Sequence, residues 1–265
     1  MKKSFGMVLL CTVLAAVLLC GCSGSSTTSS SKENTHIIKV GCDTYTPFSY
    51  LDVDGKPTGI DVELATEAFH RMGYEPQFVF INWEEKKELV EGGEIDCIWS
   101  SFTMDGRETE YKWAGPYMKS SQVVAVNPSS DIYSLADLAG KTIAVQSTTK
   151  PEELLRSHAN GIPELRKVIS VQKRDLIFVL LSKGYVDALA AHDTSIHDFA
   201  EETGLEFRIL DEPLMTVGLG VAFAKSDTRG LNTELTTTLR EMQQDGTTRQ
   251  ILEKYLSDAD RYLED

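Results

Sequence analysis

The chain has 265 residues, 42% hydrophobic and 25% charged, an ordinary globular composition that excludes a disordered or collagen-like chain. Its 40 acidic residues against 26 basic ones give a net charge of −14, so it lacks the basic footprint that neutralises nucleic-acid phosphates, and an anionic membrane would repel it. The length allows one large domain or two lobes of roughly 100 to 150 residues.

At the start of the chain, Lys2 and Lys3, an apolar stretch from Met7 to Leu19 and the small-residue segment Leu19-Cys20-Gly21-Cys22 have the order of an export signal. The apolar run is too short to span a bilayer comfortably. A leucine three residues before a cysteine, with glycine directly before it, resembles the bacterial lipobox. That makes 1–22 a lipoprotein signal peptide and Cys22 the lipidated first residue of a protein anchored to the outer face of the cytoplasmic membrane. An ordinary cleaved signal or an uncleaved anchor is the alternative. Residues 23–35, rich in Ser and Thr, have the composition of a flexible tether. Of five cysteines only Cys42 and Cys97 then remain in the body, where an oxidising compartment permits a disulfide and apolar strands suit two buried thiols.

From there, strand-like runs (Ile37 to Val40, Gln77 to Ile81, Cys97 to Trp99, Val123 to Val126) alternate with helical stretches. One of these is Ile60 to Met72, with Ile60, Leu64, Ala65, Ala68, Phe69 and Met72 on one face. Such alternation predicts an α/β fold with a largely parallel sheet covered by helices. The pattern then repeats. Ser134-Leu135-Ala136-Asp137 opens a capped helix that Gly140 ends, Thr142 to Val145 is a buried strand, and Thr149 with Glu152 opens another helix. Gly93-Glu94-Ile95-Asp96-Cys97 has a weak echo in Gly184-Tyr185-Val186-Asp187-Ala188, which suggests two similar lobes. A further strand, Thr216 to Ala224, precedes amphipathic segments carrying Leu231, Leu235, Leu239 and Met242, then Ile251, Leu252, Tyr255 and Leu256. With two strands crossing between the lobes, 36–125 and 222–265 form lobe 1, 126–221 form lobe 2, and the crossings are a hinge able to close on a ligand.

In open α/β sheets ligands bind beyond the carboxyl ends of the strands. The loops to inspect are therefore Asp43 to Phe48, Asn82-Trp83, Ser100 to Arg107, Gln146 to Lys150 and His192-Asp193-Thr194. They hold aromatic faces, hydroxyls, an arginine in a turn, a helix start after Thr149 and a carboxylate after a buried strand. This inventory suits a zwitterion: arginine and helix N–H groups for a carboxylate, aspartate and hydroxyls for an ammonium, aromatic rings for a side chain.

Several ordered segments resemble bacterial extracellular solute-binding protein family 3, the amino-acid-binding components of ABC importers. They are Val40 to Phe48, Asp54-Gly55 through Val62, Ile95-Asp96 leading to Thr103 and Arg107, Gly115-Pro116-Tyr117, His192-Asp193-Thr194, Val221-Ala222-Phe223, and Gly246-Thr247 through Tyr255. The resemblance implies a two-lobed, type II periplasmic-binding-protein-like fold. It also implies a monomer that binds a free amino acid, polar or cationic for preference, and delivers it to an ABC permease without cofactor, metal or covalent chemistry. Carried over by position, Tyr45 and Trp83 stack on the ligand side chain, Thr103 and the Ser101 backbone meet its amino and carboxylate groups, and Arg107 binds the carboxylate. Thr148 and Thr149 add contacts from the second lobe, and Asp193 holds the α-ammonium. Where the family usually has glycines near the second-lobe contact, this chain has Thr148 and Lys150.

Other residues have competing readings. Asp43 pairs with a cationic ligand side chain or is a cap or a solvated loop charge. Phe48 and Phe102 are packing residues that reach the pocket rim, and Gln146 belongs to the second-lobe loop. His192 beside Asp193 suggests a catalytic dyad, but neighbours on an extended chain point to opposite sides. The alternatives to a transport receptor are a cyclohexadienyl-dehydratase-like enzyme using His192 or Glu63 as general acid, and a ligand-sensing partner of a membrane receptor. No metal-ligand spacing or phosphate loop is visible.

Overall fold

The computed structural model of the protein describes residues 36–264; the signal, the lipobox cysteine Cys22 and the tether lie outside the described residues. The chain begins with β1 (His36–Cys42), a short hairpin of β2 (Tyr50–Leu51) and β3 (Pro57–Thr58), and then α1 (Ile60–Arg71), β4 (Tyr74–Phe80), α2 (Lys86–Gly92) and β5 (Cys97–Thr103). A fifteen-residue strand, β6 (Lys112–Val126), leads into the second lobe. There the elements are β7 (Thr142–Gln146), α3 (Lys150–Ser157), β8 (Lys167–Val171), α4 (Asp175–Ser182), β9 (Ala188–His192), α5 (Asp193–Thr203) and the short β10 (Arg208–Ile209). The return strand β11 (Met215–Phe223) is followed by α6 (Leu231–Gln244) and α7 (Thr247–Leu252).

Periodicity accounts for most of these elements. α1 buries Ile60, Leu64, Ala65, Ala68 and Phe69, the apolar stripe predicted, and Met72 is its cap. β5, β7 and β9 are buried along their whole length, as continuous apolar runs in the middle of a sheet must be. The segment after Ser134 departs from expectation. The capping box forms between Ser134 and Asp137, but only a 3₁₀ turn over Leu135–Leu138 follows, because the chain leaves the helical region at Ala139 (ψ 123°) and Gly140 (φ 69°).

All the long strands share one sheet, ordered β4-β1-β5-β11-β6-β9-β7-β8, with β10 on β6. β1 runs parallel to β4 and β5, and β7 parallel to β8 and β9. The two parallel blocks are joined by β6 and β11, which pair antiparallel from Met215 with Gln122 to Phe223 with Lys112. The hinge is thus a ribbon inside a continuous sheet. The apolar cores nevertheless stay separate. One side packs around Leu64, Phe69, Trp99, Met118, Leu219 and Leu252, with a satellite around Trp83, Ile98 and Phe102. The other packs around Val126, Val145, Leu155, Phe178 and Leu189. Cys42 and Cys97 are buried free thiols in the first core.

The sequence echo has a structural meaning. Gly93 and Gly184 both take left-handed backbone, at φ 80° and 72°, where α2 and α4 turn into the next strand. Three residues on, each aspartate clasps the first strand of its own block. The Asp96 N–H donates to the Lys39 carbonyl (2.8 Å) while its Oδ2 accepts from the Lys39 N–H (2.8 Å). The Asp187 N–H donates to the Thr142 carbonyl (2.8 Å) while its Oδ2 accepts from the Thr142 N–H (2.7 Å). Each clasp satisfies a backbone N–H, that of Lys39 in the middle of β1 and that of Thr142 at the start of β7. Asp96→Ala and Asp187→Ala should each cost about 1–3 kcal/mol in urea denaturation; values below 0.5 kcal/mol would show that water satisfies those groups equally well.

Candidate functional site

The carboxyl ends of β1 and β5 face those of β7, β8 and β9, and the loops there meet across a cleft. Between them lies a narrow cavity of about 20 Å³, partly open to solvent. From the first lobe Trp83, Ser100, Ser101, Phe102, Thr103 and Arg107 line it; Gln122 reaches in from the hinge; Gln146, Thr148, Thr149, Lys150, Pro151, Arg174, Ala190 and His192 complete it. Eight residues expected from sequence therefore share one cavity: Trp83, Ser101, Phe102, Thr103, Arg107, Gln146, Thr148 and Thr149.

Arg107 is half-buried. Its guanidinium carbon lies 5.2 Å from the Phe102 ring centre and one terminal nitrogen is 3.4 Å from the Thr103 carbonyl. Burial lowers its affinity for its proton, and no carboxylate pairs with it among the described residues. Lys86, on the first turn of α2, crosses to the other lobe: its Nζ donates to Thr148 Oγ1 at 2.8 Å and sits 4.6 Å above the Trp83 ring. Burial, with Arg107 second, brings its pKa down to about 7.

The backbone around the cavity is strained at Ser101 (φ 44°) and Thr148 (φ 57°), in the left-handed region that a β-carbon disfavours. Ser101 is held from below. Its N–H donates to Asp61 Oδ2 at 2.6 Å, and the Tyr117 hydroxyl donates to Asp61 Oδ1 at 2.8 Å, so a buried carboxylate in the first turn of α1 fixes the end of β5. Thr148 is held by the Glu152 carboxylate, which accepts from its N–H at 2.6 Å. The expected Thr149–Glu152 helix start is there, except that Thr149 turns its hydroxyl back to the Gln146 carbonyl.

Four expected residues lie elsewhere. Tyr45 is buried under the cavity, its hydroxyl 2.8 Å from Ser195 Oγ, and Phe48 is core, packed on Tyr45 and His192 at ring-centre distances of 5.2 and 5.6 Å. Asp43 sits behind Arg174 and lines a neighbouring, wider cavity. Asp193, buried at the start of α5, is the main departure. Its Oδ2 is 3.1 Å from Arg261 and accepts from the Tyr262 hydroxyl at 3.3 Å. A carboxylate withdrawn from water takes the nearest guanidinium, so in this arrangement Asp193 ties α5 to the C-terminal segment and does not share the cavity with Arg107.

Sequence reading missed Gln122 and Arg174 and gave His192 no binding role. Arg174 follows β8, a Val-Ile-Ser-Val strand whose terminal loop the carboxyl-end rule would have marked. Gln122 stands on the hinge where nothing local distinguishes it. His192 is fully enclosed, 2.7 Å by Nδ1 from Ser120 Oγ and 2.7 Å by Nε2 from Gln122 Nε2. Burial, then the nearby Arg174 charge, lowers its pKa from 6.5 to about 3. The unfolded chain binds this proton near pH 6.5 and the folded one only near 3, so acid costs stability across that window. Urea titrations should show the stability of the wild type falling more steeply than that of His192→Gln from pH 6.5 to 3; parallel curves would mean that His192 is not held neutral.

Comparison with known proteins shows the family and the fold. The model of bacterial extracellular solute-binding proteins, family 3, matches residues 38–258. A Vibrio harveyi protein, PatH, provisionally named an amino-acid ABC transporter-binding protein, is 30% identical over 223 residues, covering 82% of this chain and 88% of its own. The histidine-binding periplasmic protein of Salmonella typhimurium is 28% identical over 235 residues, covering 85% and 89%. Among solved structures, an ancestral arginine-binding protein bound to arginine superposes with a TM-score of 0.76 at 26% identity, over 83% of this chain and 98% of that one.

Proposed function

The chain belongs to the bacterial extracellular solute-binding proteins, family 3, and on that premise we propose that its cleft closes on one free amino acid outside the cytoplasm and presents the closed form to an ABC transporter permease. The carrying observation is Arg107, a guanidinium without a carboxylate on the wall of a cavity whose opposite wall belongs to the other lobe. Arg107 takes the α-carboxylate through two parallel hydrogen bonds and Thr103 adds its hydroxyl, while the Thr149 hydroxyl stays committed to the Gln146 carbonyl. For the α-ammonium we assign the Gln146 side-chain oxygen. The Gln146 amide nitrogen is committed to Asp43 Oδ2 (2.6 Å) and the Gln172 carbonyl (3.1 Å), which leaves Oε1 buried without a donor.

Closure follows from contacts that join the lobes: Lys86 with Thr148, Tyr45 with Ser195, and Gln172 with Glu84 at 2.5 Å. From the breaks between the apolar cores we infer crossings between Met118 and Val123 and between Leu214 and Val217, where the sequence suggested 125/126 and 221/222. A ligand that touches both walls selects the closed form.

We read the site as binding without catalysis. Of the two candidate general acids, Glu63 is engaged by Lys254 and accepts from the Tyr255 hydroxyl at 2.6 Å outside the cavity, and His192 stays neutral down to about pH 3. We also read the protein as a monomer held at the membrane through lipid on Cys22; among the described residues no helix is long and apolar enough to cross a membrane.

A thermal-shift screen of the free amino acids should reveal one or a few that raise the unfolding temperature. Arg107→Ala should weaken the best of them by roughly 100-fold or more in calorimetry, since it leaves a buried carboxylate unpaired. Asp193→Asn should weaken it by less. A folded wild type that no amino acid stabilises would sink the reading, and an Arg107→Ala variant with unchanged affinity would remove its central contact.

A further inference from the structure

Two side chains, Trp83 and Arg174, stand between the cleft cavity and the wider cavity beside it and line both, and Arg174 is the charged one. It caps α4, immediately after the loop that leaves β8, and is 7% exposed. Its guanidinium lies flat against Tyr45, 3.3 Å from the ring centre, with a terminal nitrogen 3.6 Å from Asp43 Oδ2. An aromatic face with a carboxylate at its edge is the arrangement that recognises a guanidinium or ammonium. The chain thus supplies its own cation to a place fitted for one.

Two further observations say what this does to a ligand. Arg174 Nε is buried and has no acceptor. The Asp43 carboxylate is already shared among Arg174, the Gln146 amide and its neighbour's N–H at Thr44. Around the cavity stand Arg107, Lys150 and Arg174, with Lys86 just behind Trp83, and no carboxylate lines it. A cationic ligand side chain would meet like charge with no free partner; one ending in an acceptor would satisfy the buried N–H.

We propose that Arg174 is a specificity-determining residue: it fills the Tyr45–Asp43 subsite with a resident guanidinium, so that the cleft selects amino acids ending in a carboxylate or carboxamide and rejects cationic ones. This rests on the amino-acid-binding reading above and takes the polar half of the polar-or-cationic expectation. Removing the side chain vacates a site already shaped for a cation, so the variant should accept what the wild type refuses.

The test is calorimetry with L-glutamate, L-glutamine and L-arginine on the wild type, Arg174→Ala and Arg174→Gln, the last keeping bulk without charge should the alanine variant fold poorly. The wild type should bind glutamate or glutamine about 100-fold more tightly than arginine, and the variants should bring arginine to parity or beyond. A merely structural Arg174 would weaken all three ligands alike. Arginine bound by the wild type as tightly as the other two, a preference unchanged in both variants, or a wild type that binds only amino acids lacking a carboxylate or carboxamide side chain would overturn this inference and leave amino-acid binding standing. A folded wild type that binds none of the twenty amino acids would overturn both.

Discussion

Arg107 is half-buried with no carboxylate to pair with among the described residues, and the cleft is arranged around that excess of positive charge. Taking a cation out of water is costly unless something opposite in sign comes with it. Most buried charges here have a partner from their own chain: Arg174 has Asp43, Lys150 has Glu153, Asp193 has Arg261. Lys86 has no carboxylate and gives way instead, its burial making it easier to deprotonate. Arg107 has no carboxylate partner among the described residues, and on the reading proposed above a ligand carboxylate supplies the missing charge. On that reading affinity and lobe closure become one event, because residues of both lobes line the cavity beside Arg107.

That charge is useful only if the walls around it hold still while the lobes move. The buried Asp61 carboxylate fixes Ser101 from the first lobe, and Glu152 fixes Thr148 from the second. Both held residues carry left-handed backbone that a β-carbon disfavours, so the strain is borne by rigid blocks. The motion is left to β6 and β11, which form the ribbon where the two apolar cores are interrupted. A ribbon of paired strands can bend and twist without losing its ladder, which lets two cores rotate past each other without exposing either.

Much of the architecture was legible because its signals are local. The stripe of α1, the buried runs of β5, β7 and β9, and the glycine-to-aspartate echo all reflect periods or turns within a few residues. The echo even located a matching clasp at Asp96 and Asp187. Where the reading slipped, two local signals competed, as at Ser134, where a complete capping box was cut short by Gly140.

By itself the sequence determined the α/β alternation, the loops in which a site could sit, and the position of Arg107 in the turn after β5. Only the tertiary structure decided which charges found each other. Asp193 was drawn to Arg261 and Arg174 folded back onto Tyr45 and Asp43, pairings between residues more than sixty positions apart. The reason is that secondary structure is set by neighbours along the chain, whereas the partner of a buried charge is whichever opposite charge the packed fold brings within a few ångströms.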